Sequence, residues 1–433
     1  MQDLSYVRTE MVPEQEPPAS AVGLFGWMRA NLFSGPRDII LTLVSLYVIY
    51  AIGSEVLAWS LQDTWGATSL RECREIIAAR LGPDAHGACW GVIRERYPQM
   101  LFGFYPSEYY WRPILALVLL FVALAPVLFS SVPRGLRYFS PFYPFIGAFL
   151  LWGGSIWLPL AALAGFVIGY LALNAVGSRF GTLAGTIACV LAAVAWWLFL
   201  AGPVASGLQS IVPLGLDAVQ SRAFGGFMLS ITIGVVAIGA SLPLGILLAL
   251  GRQSDLLIVR GLAIGFIEFI RGVPLITLLF VASTLLNIFM PPGTNFDIIL
   301  RVIIMVTLFA SAYMAEVIRG GLAALPRGQY EAADSLGLDY WKAQRLIIMP
   351  QALKISIPGI VSTFIGVFKD TTLVSIIGLL DPLGLTKSIL ADQDWNGIVW
   401  ELYGFIALLF FVFCFSMSRY SMHLERRLQT GHR

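Results

Sequence analysis

Six ionisable side chains interrupt the apolar stretches of the C-terminal half: Glu268, Arg271, Arg301, Glu316, Lys369 and Asp370. A charge inside a membrane-spanning stretch is costly, so it faces a cavity, a partner or a polar ligand. Arg301 opens its stretch and can snorkel to the interface. Glu268 and Arg271 are spaced i and i+3 and can pair on one helix face, as can Glu316 and Arg319. Both pairs stand near one end of their stretches, which suits structural pairing. Lys369-Asp370 is harder to dismiss, because fourteen mostly apolar residues precede it and LVSIIGLL follows closely after Thr371-Thr372. Adjacent residues point about 100° apart on a helix, so the two cannot simply neutralise each other. Each is expected to meet another helix or a polar ligand.

Catalytic chemistry has little to work with. The three histidines are His86, His423 and His432, and no paired acids or Ser/His arrangement accompanies them. No G-x-x-x-x-G-K-[ST] motif is present, so nucleotide binding by this chain is not expected. Cys189 and Cys414 lie in apolar runs and read as packing residues. Cys73 and Cys89 share a polar loop; their spacing fits no zinc pattern. They form either a disulfide, if the loop faces an oxidising compartment, or two free thiols.

These residues need helices in a membrane to position them. Of 433 residues, 58% are hydrophobic and 12% charged, about half the charge of a soluble domain. The mean hydropathy is +0.78. The fold class is an all-α polytopic membrane protein of about ten spans, expected near 39–60, 113–130, 142–157, 159–177 and 181–201, then 226–250, 266–289, 299–318, 355–380 and 399–418. Residues 142–177 are too long for one span and short for two, so a break is expected at Gly153-Gly154 or Pro159. A β-barrel is excluded because barrel strands alternate polar and apolar residues. A net charge of +2, with basic residues scattered, gives no support for nucleic acid.

Short-loop arginines and lysines favour the cytoplasm. With ten spans, Arg134, Arg137, Arg252, Arg260, Arg319, Arg327, Lys342, Arg345, Lys354, Arg419, Arg426, Arg427 and Arg433 all fall on one side, which puts both termini in the cytoplasm. The loop 61–112 then lies outside, although it carries Arg71, Arg74, Arg80, Arg94, Arg96 and Arg112; it also holds as many acids and nears the length at which the rule weakens. Its aromatic-rich segment 87–112 suits a cap on the membrane surface or a docking surface for an external partner.

One polar insert stands between apolar runs: QYEAADSLGLDYWKAQRLIIMP, residues 329–350. Pro326 suits a first helical turn, Glu331, Ala332 and Ala333 are good helix formers, and Gly337 is placed to end the helix. Asp339 can cap a second helix, which Pro350 is expected to end. Physics alone leaves two short exposed helices, either a plain connector or a docking element.

The order Glu331-Ala332-Ala333, three residues, Gly337, nine residues, Ile347, two residues, Pro350 resembles the EAA loop of ABC-importer permeases, with Met349 where that family usually has leucine. ASAYMAEVIRGGLAALPRGQYEAADSLGL, FIRGVPLITLLF and FKDTTLVSIIGLLD resemble the polar amino-acid permeases, and GACWGVI with FGFYP resembles the longer permease subunit of general L-amino-acid transporters.

The resemblance implies a cytoplasmic tail at 1–38, an N-terminal transmembrane extension at 39–224, a five-helix type I importer core at 225–420 with its coupling loop at 320–354, and a tail at 421–433. It implies that Glu331, Ala332, Ala333, Gly337, Ile347 and Pro350 couple the core to a separate ATPase. The implied partners are an ABC ATPase dimer, a homologous second permease, a periplasmic amino-acid-binding protein and membrane lipid. The chain itself would bind no cofactor; ATP and Mg belong to the ATPase. The location would be a bacterial inner membrane and the cargo L-amino acids of broad type, moved by alternating access. An amino-acid zwitterion needs both signs of charge, so Lys369, Asp370, Glu316 and Arg271 are candidates for the substrate path. The rival class is an ion-coupled secondary transporter, which would often carry inverted repeats; no clear repeat is visible.

Overall fold

The computed structural model describes residues 23–129, 131–289 and 297–428. The tail before Gly23, His432 and Arg433 lie outside the described residues. The chain divides into two compact units at Gly91/Val92.

The first unit holds α1 (Gly23–Asn31), α2 (Pro36–Ser60) and α3 (Leu70–Leu81). Proline in the first turn starts α2, which runs 25 residues with none buried, as a helix surrounded by lipid can. The polar loop after it is folded. Thr64, fully buried, donates to the Ala88 carbonyl at 2.7 Å and accepts from the Trp90 amide at 2.9 Å. Trp65 stacks on Trp90, and Cys73 is bonded to Cys89 with both side chains buried. Of the two readings open for these cysteines, the structure therefore has the disulfide.

The second unit contains α4 (Gly91–Phe102), α5 (Trp111–Leu128), α6 (Tyr143–Trp152), α7 (Trp157–Phe180), α8 (Thr182–Ala195), α9 (Ala201–Ile211), α10 (Gly226–Arg252), α11 (Leu257–Gly272), α12 (Leu275–Phe289), α13 (Ile298–Ala323), α14 (Gly328–Ser335), α15 (Tyr340–Ala343), α16 (Met349–Asp370), α17 (Pro382–Leu390) and α18 (Trp400–Leu428). Among the described residues of the chain, eight helices are long and apolar enough to cross a membrane, nine if one bent pair counts as a crossing. The chain is an all-α polytopic membrane protein.

Three expected spans and one expected helix end need correction. The helix in 142–157 covers only ten residues, about 15 Å at 1.5 Å per residue, half of a bilayer core. Gly153 and Gly154, at φ +67° and +83°, break it where the sequence suggested, and Gly154–Ser155 pairs antiparallel with Gly215–Leu216. The stretch 266–289 begins earlier, at Leu257, and bends by 101° between α11 and α12. Pro274 causes the bend, because the residue before a proline is pushed out of helical geometry; Val273 is extended at φ −107°, ψ 131°.

The remaining two corrections share one cause. The span 181–201 runs on to Ile211, and Pro350 does not end the second helix of the insert. A π turn precedes each proline, at Trp196–Leu200 and at Gln344–Ile348. Phe199 and Leu346, four residues before Pro203 and Pro350, lie inside these turns. The ladder there is already shifted to i→i−5, as in Met349 N–H to the Gln344 carbonyl, so neither the missing N–H nor the ring breaks the helix.

α10 and α13 form the centre and run in parallel. Ser221, just ahead of α10, donates to Asp297 at the start of α13, and Arg252 at the end of α10 meets Glu316 near the end of α13. The chain between them returns from one end to the other through the bent pair. The extension joins the core at the far end, where Gly103, bridged to Phe224, packs directly on Gly225, which in turn bridges Leu380. Gly103 sits at φ +70°, and a Cβ there would lie 2.4 Å from the Gly225 Cα, so no other residue fits. At the opposite end, the Tyr420 hydroxyl of α18 donates to the Leu128 carbonyl of α5 at 2.5 Å.

Candidate functional site

The polar insert folds onto the end of the core opposite Gly103. Pro326 stands two residues ahead of α14 rather than in its first turn. α14 ends in a Schellman motif: the Gly337 N–H donates to the Asp334 carbonyl at 2.9 Å and the Leu338 N–H to the Ala333 carbonyl at 3.2 Å. This requires the left-handed conformation that Gly337 adopts at φ +66°. Asp339 then caps α15 by accepting from the Lys342 N–H at 3.0 Å, a bond that holds its carboxyl below the ordinary carboxylate range.

Ala333 is fully buried, and Ile348 anchors the insert to Leu322, Leu325 and Ala352. Ile347 is half-buried against the same cluster, while Glu331, Ala332 and Pro350 are exposed. Gln351 donates to the Gln329 side chain at 2.8 Å, tying α14 to α16. Sequence reasoning missed an exposed apolar set on this insert: Leu336, Tyr340, Trp341 and Leu346 are 73%, 52%, 66% and 63% exposed. Tryptophan and leucine in a polar loop were the available signal. Through the π turn the insert continues directly into α16.

Beside the insert, five charges from three helices meet. Glu316 of α13 accepts from Arg252 of α10 at 2.7 Å and from Arg319 at 2.9 Å, with Arg271 of α11 at 3.7 Å. Arg252 also donates to Glu268 at 2.9 Å, and Arg271 lies 4.0 Å from Glu268. The two i,i+3 pairs expected from the sequence are present, joined into one network with Arg252 as the unforeseen member.

Lys369 and Asp370 lie elsewhere. They end α16, where the chain passes into a 3-10 turn through Ile377. Their neighbours Phe368 and Thr371 pack on Gly234 of α10. Eighteen residues of α10 separate Gly234 from Arg252, about 27 Å at 1.5 Å per residue. The structure therefore does not bring Lys369 and Asp370 together with Glu316 and Arg271. Lys369 is exposed and Asp370 half-buried; neither takes an acid or base partner within 4.0 Å among the described residues. Arg301 does not snorkel away: it donates to the Ser283 carbonyl of α12 at 2.9 Å. Among the described residues, no three His, Cys, Asp or Glu side chains gather to hold a metal ion.

A set of apolar helices long enough to cross a membrane, with an exposed polar insert at one end, defines a multi-pass membrane protein. Comparison with known proteins makes this specific. The family model for the binding-protein-dependent transport system inner membrane component matches residues 241–430. The chain is 60% identical over 435 residues to the glutamate/glutamine/aspartate/asparagine transport system permease protein BztC of Rhodobacter capsulatus, covering 100% of both. It is 40% identical to the inner membrane amino-acid ABC transporter permease protein YhdY of Escherichia coli, over 94% of this chain and 93% of that one. A crystal structure of an amino acid ABC transporter with histidines matches 46% of this chain and 91% of that chain at 32% identity, with a TM-score of 0.41. The chain belongs to the permeases of amino-acid ABC importers, and the ion-coupled reading is set aside.

Proposed function

We propose that the chain is one half of the translocation pore of an inner-membrane importer, with acidic amino acids and their amides among its cargo. The observation that carries this reading is the exposed, hinged insert at 328–348 that continues without a break into α16. Glu331, Ala332, Ala333, Gly337, Ile347 and Pro350 shape it, and Leu336, Trp341 and Leu346 form the apolar face gripped by one subunit of a separate ATPase dimer. That ATPase uses ATP and Mg; this chain binds no cofactor. The insert faces the cytoplasm together with both termini. A homologous second permease completes the pore, and an extracytoplasmic binding protein delivers the amino acid. The extension occupies 39–224 and the core 225–420.

Lys369 and Asp370 line the path and offer both signs of charge to a zwitterion. Glu316 and Arg271 stand at the cytoplasmic end of the same path, where their network joins α10, α11 and α13 in one of the two states of an alternating-access cycle. The cargo follows the printed name of the relative matched over its full length, within the broad L-amino-acid range that the sequence suggests.

The test is ATP-driven uptake of radiolabelled glutamate into vesicles holding the purified transporter, with unlabelled glutamine, aspartate, asparagine, histidine and leucine as competitors. Uptake that needs ATP and is suppressed by the acidic and amide competitors supports the reading. Uptake suppressed equally by leucine and histidine overturns the narrower cargo, and uptake without ATP overturns the whole. Lys369→Met is expected to impair uptake while the complex still assembles; normal uptake removes Lys369 from the path.

A further inference from the structure

We propose that a cleft between the extension and the core binds one acyl chain of a bilayer phospholipid. The cleft encloses about 390 Å³ between α5 and α6 on one side and α10 and α13 on the other. Its walls include Leu117, Leu120, Leu151, Met228, Val235 and Ile303, and no charged side chain is among them.

The polar side chains in the lining have no hydrogen to offer. The Tyr143 hydroxyl donates to the Ala116 carbonyl at 3.0 Å, Thr232 to the Met228 carbonyl at 2.8 Å and the Trp152 ring N–H to Ser221 at 2.7 Å. A polar ligand's acceptors would go unsatisfied there, whereas a methylene chain needs only apolar contact. The bilayer can supply that chain. Ile114, Val236 and Leu300 line the cleft, stand on membrane-spanning helices and are 51%, 41% and 46% exposed, so the open side looks onto lipid.

Size selects between a chain and a protein helix. Along α10 the lining runs from Phe227 to Val236, about 13 Å at 1.5 Å per residue. This starts in the first turn of the helix and covers nearly half of a hydrocarbon core of about 30 Å, the depth of one leaflet. A transmembrane helix of a partner would cross the whole core of about 30 Å, more than twice the depth of this cleft. With no charge in the lining, the chain and not the headgroup is recognised.

The purified transporter is reconstituted with a tracer phosphatidylcholine bearing a mid-chain diazirine, washed in detergent to strip loosely held lipid, illuminated and mapped by peptide mass spectrometry. Labelling of 227–236 is expected to exceed that of the lipid-exposed stretch 41–48 several-fold. Ala148→Phe and Val235→Trp, which fill the cleft from opposite walls, should each abolish the excess without changing the label on 41–48. A phosphatidylglycerol tracer should label alike. Equal labelling of the two stretches in the parent overturns the proposal, as does labelling that follows the headgroup or a disulfide from Ala148→Cys to another subunit.

Discussion

Glu316 receives three guanidiniums from three helices, and its side chain is only 16% exposed. Glu316→Gln leaves Arg252, Arg271 and Arg319 with Glu268 as their remaining acid in the network, and removing one partner of a largely buried pair costs up to several kcal/mol. A loss of about 2 kcal/mol is expected, read as a fall of a few degrees in the thermal midpoint of the purified complex. Arg319 is 44% exposed, so Arg319→Gln should cost less than about 1 kcal/mol. Equal effects would contradict the central place given to Glu316. The sequence exposed half of this arrangement. The i,i+3 spacings of Glu268 with Arg271 and Glu316 with Arg319 were legible, because local spacing alone dictates them. Arg252, which joins the two pairs, was not, because it reaches them from another helix. The separation of Lys369 from Glu316, whose neighbourhoods meet α10 at Gly234 and Arg252 about 27 Å apart, was hidden for the same reason.

At the scale of elements, Trp341 and Leu346 are exposed on the insert without supporting its fold. Trp341→Ser with Leu346→Ser should therefore change stability by no more than about 0.5 kcal/mol each, while the amount of ATPase recovered with the permease falls sharply on affinity purification. Undiminished recovery would place the ATPase contact elsewhere. α17 carries a pH signal of its own. Its cap, Asp381, is fully buried and accepts from Gly384 and Leu383, and burial pushes its carboxyl up to about 6. The folded state thus holds this proton more tightly than the unfolded chain. The resulting stability is complete below the unfolded carboxyl pKa of about 4 and is lost as pH rises through about 6. Asp381→Asn should flatten the dependence of the thermal midpoint on pH across that window; an unchanged slope would contradict the assignment. Gly337 as a helix stop and Asp339 as a cap could be read from the sequence, since each follows from the residue's own backbone chemistry. Helix ends at Pro203 and Pro350 could not, because a π turn relieves the proline at a distance of four residues, and nothing in apolar composition marks such a turn. The glycine corner at Gly153-Gly154 was legible for the same reason as Gly337, but not that the helix before it is only ten residues long.

At the scale of the bundle, the extension is fastened to the core at both ends, by the close packing of Gly103 on Gly225 at one and by Tyr420 with Leu128 at the other. Between these ties lies the apolar cleft that the proposed acyl chain would fill. The membrane class was evident from hydropathy and the two short helices of the insert from local residue chemistry, while a coupling role for the insert is what the family resemblance implies. The bent crossing of α11 and α12 was not, since a proline inside an apolar run leaves hydropathy unchanged. The account turns on one mechanical claim, that closure of a separate ATPase reaches the pore through the hinge at Gly337. A Cβ at Gly337 meets nothing within 4 Å, so the cost of substitution is the left-handed backbone alone, about 1–2 kcal/mol for most residues and less for asparagine. The most direct measurement follows ATP hydrolysed and radiolabelled amino acid taken up together, in vesicles holding the parent transporter, Gly337→Asn or Gly337→Val. The account predicts near-parental coupling for Gly337→Asn and, for Gly337→Val, uptake that collapses while the permease remains folded. Uptake per ATP in Gly337→Val equal to that of the parent would contradict it.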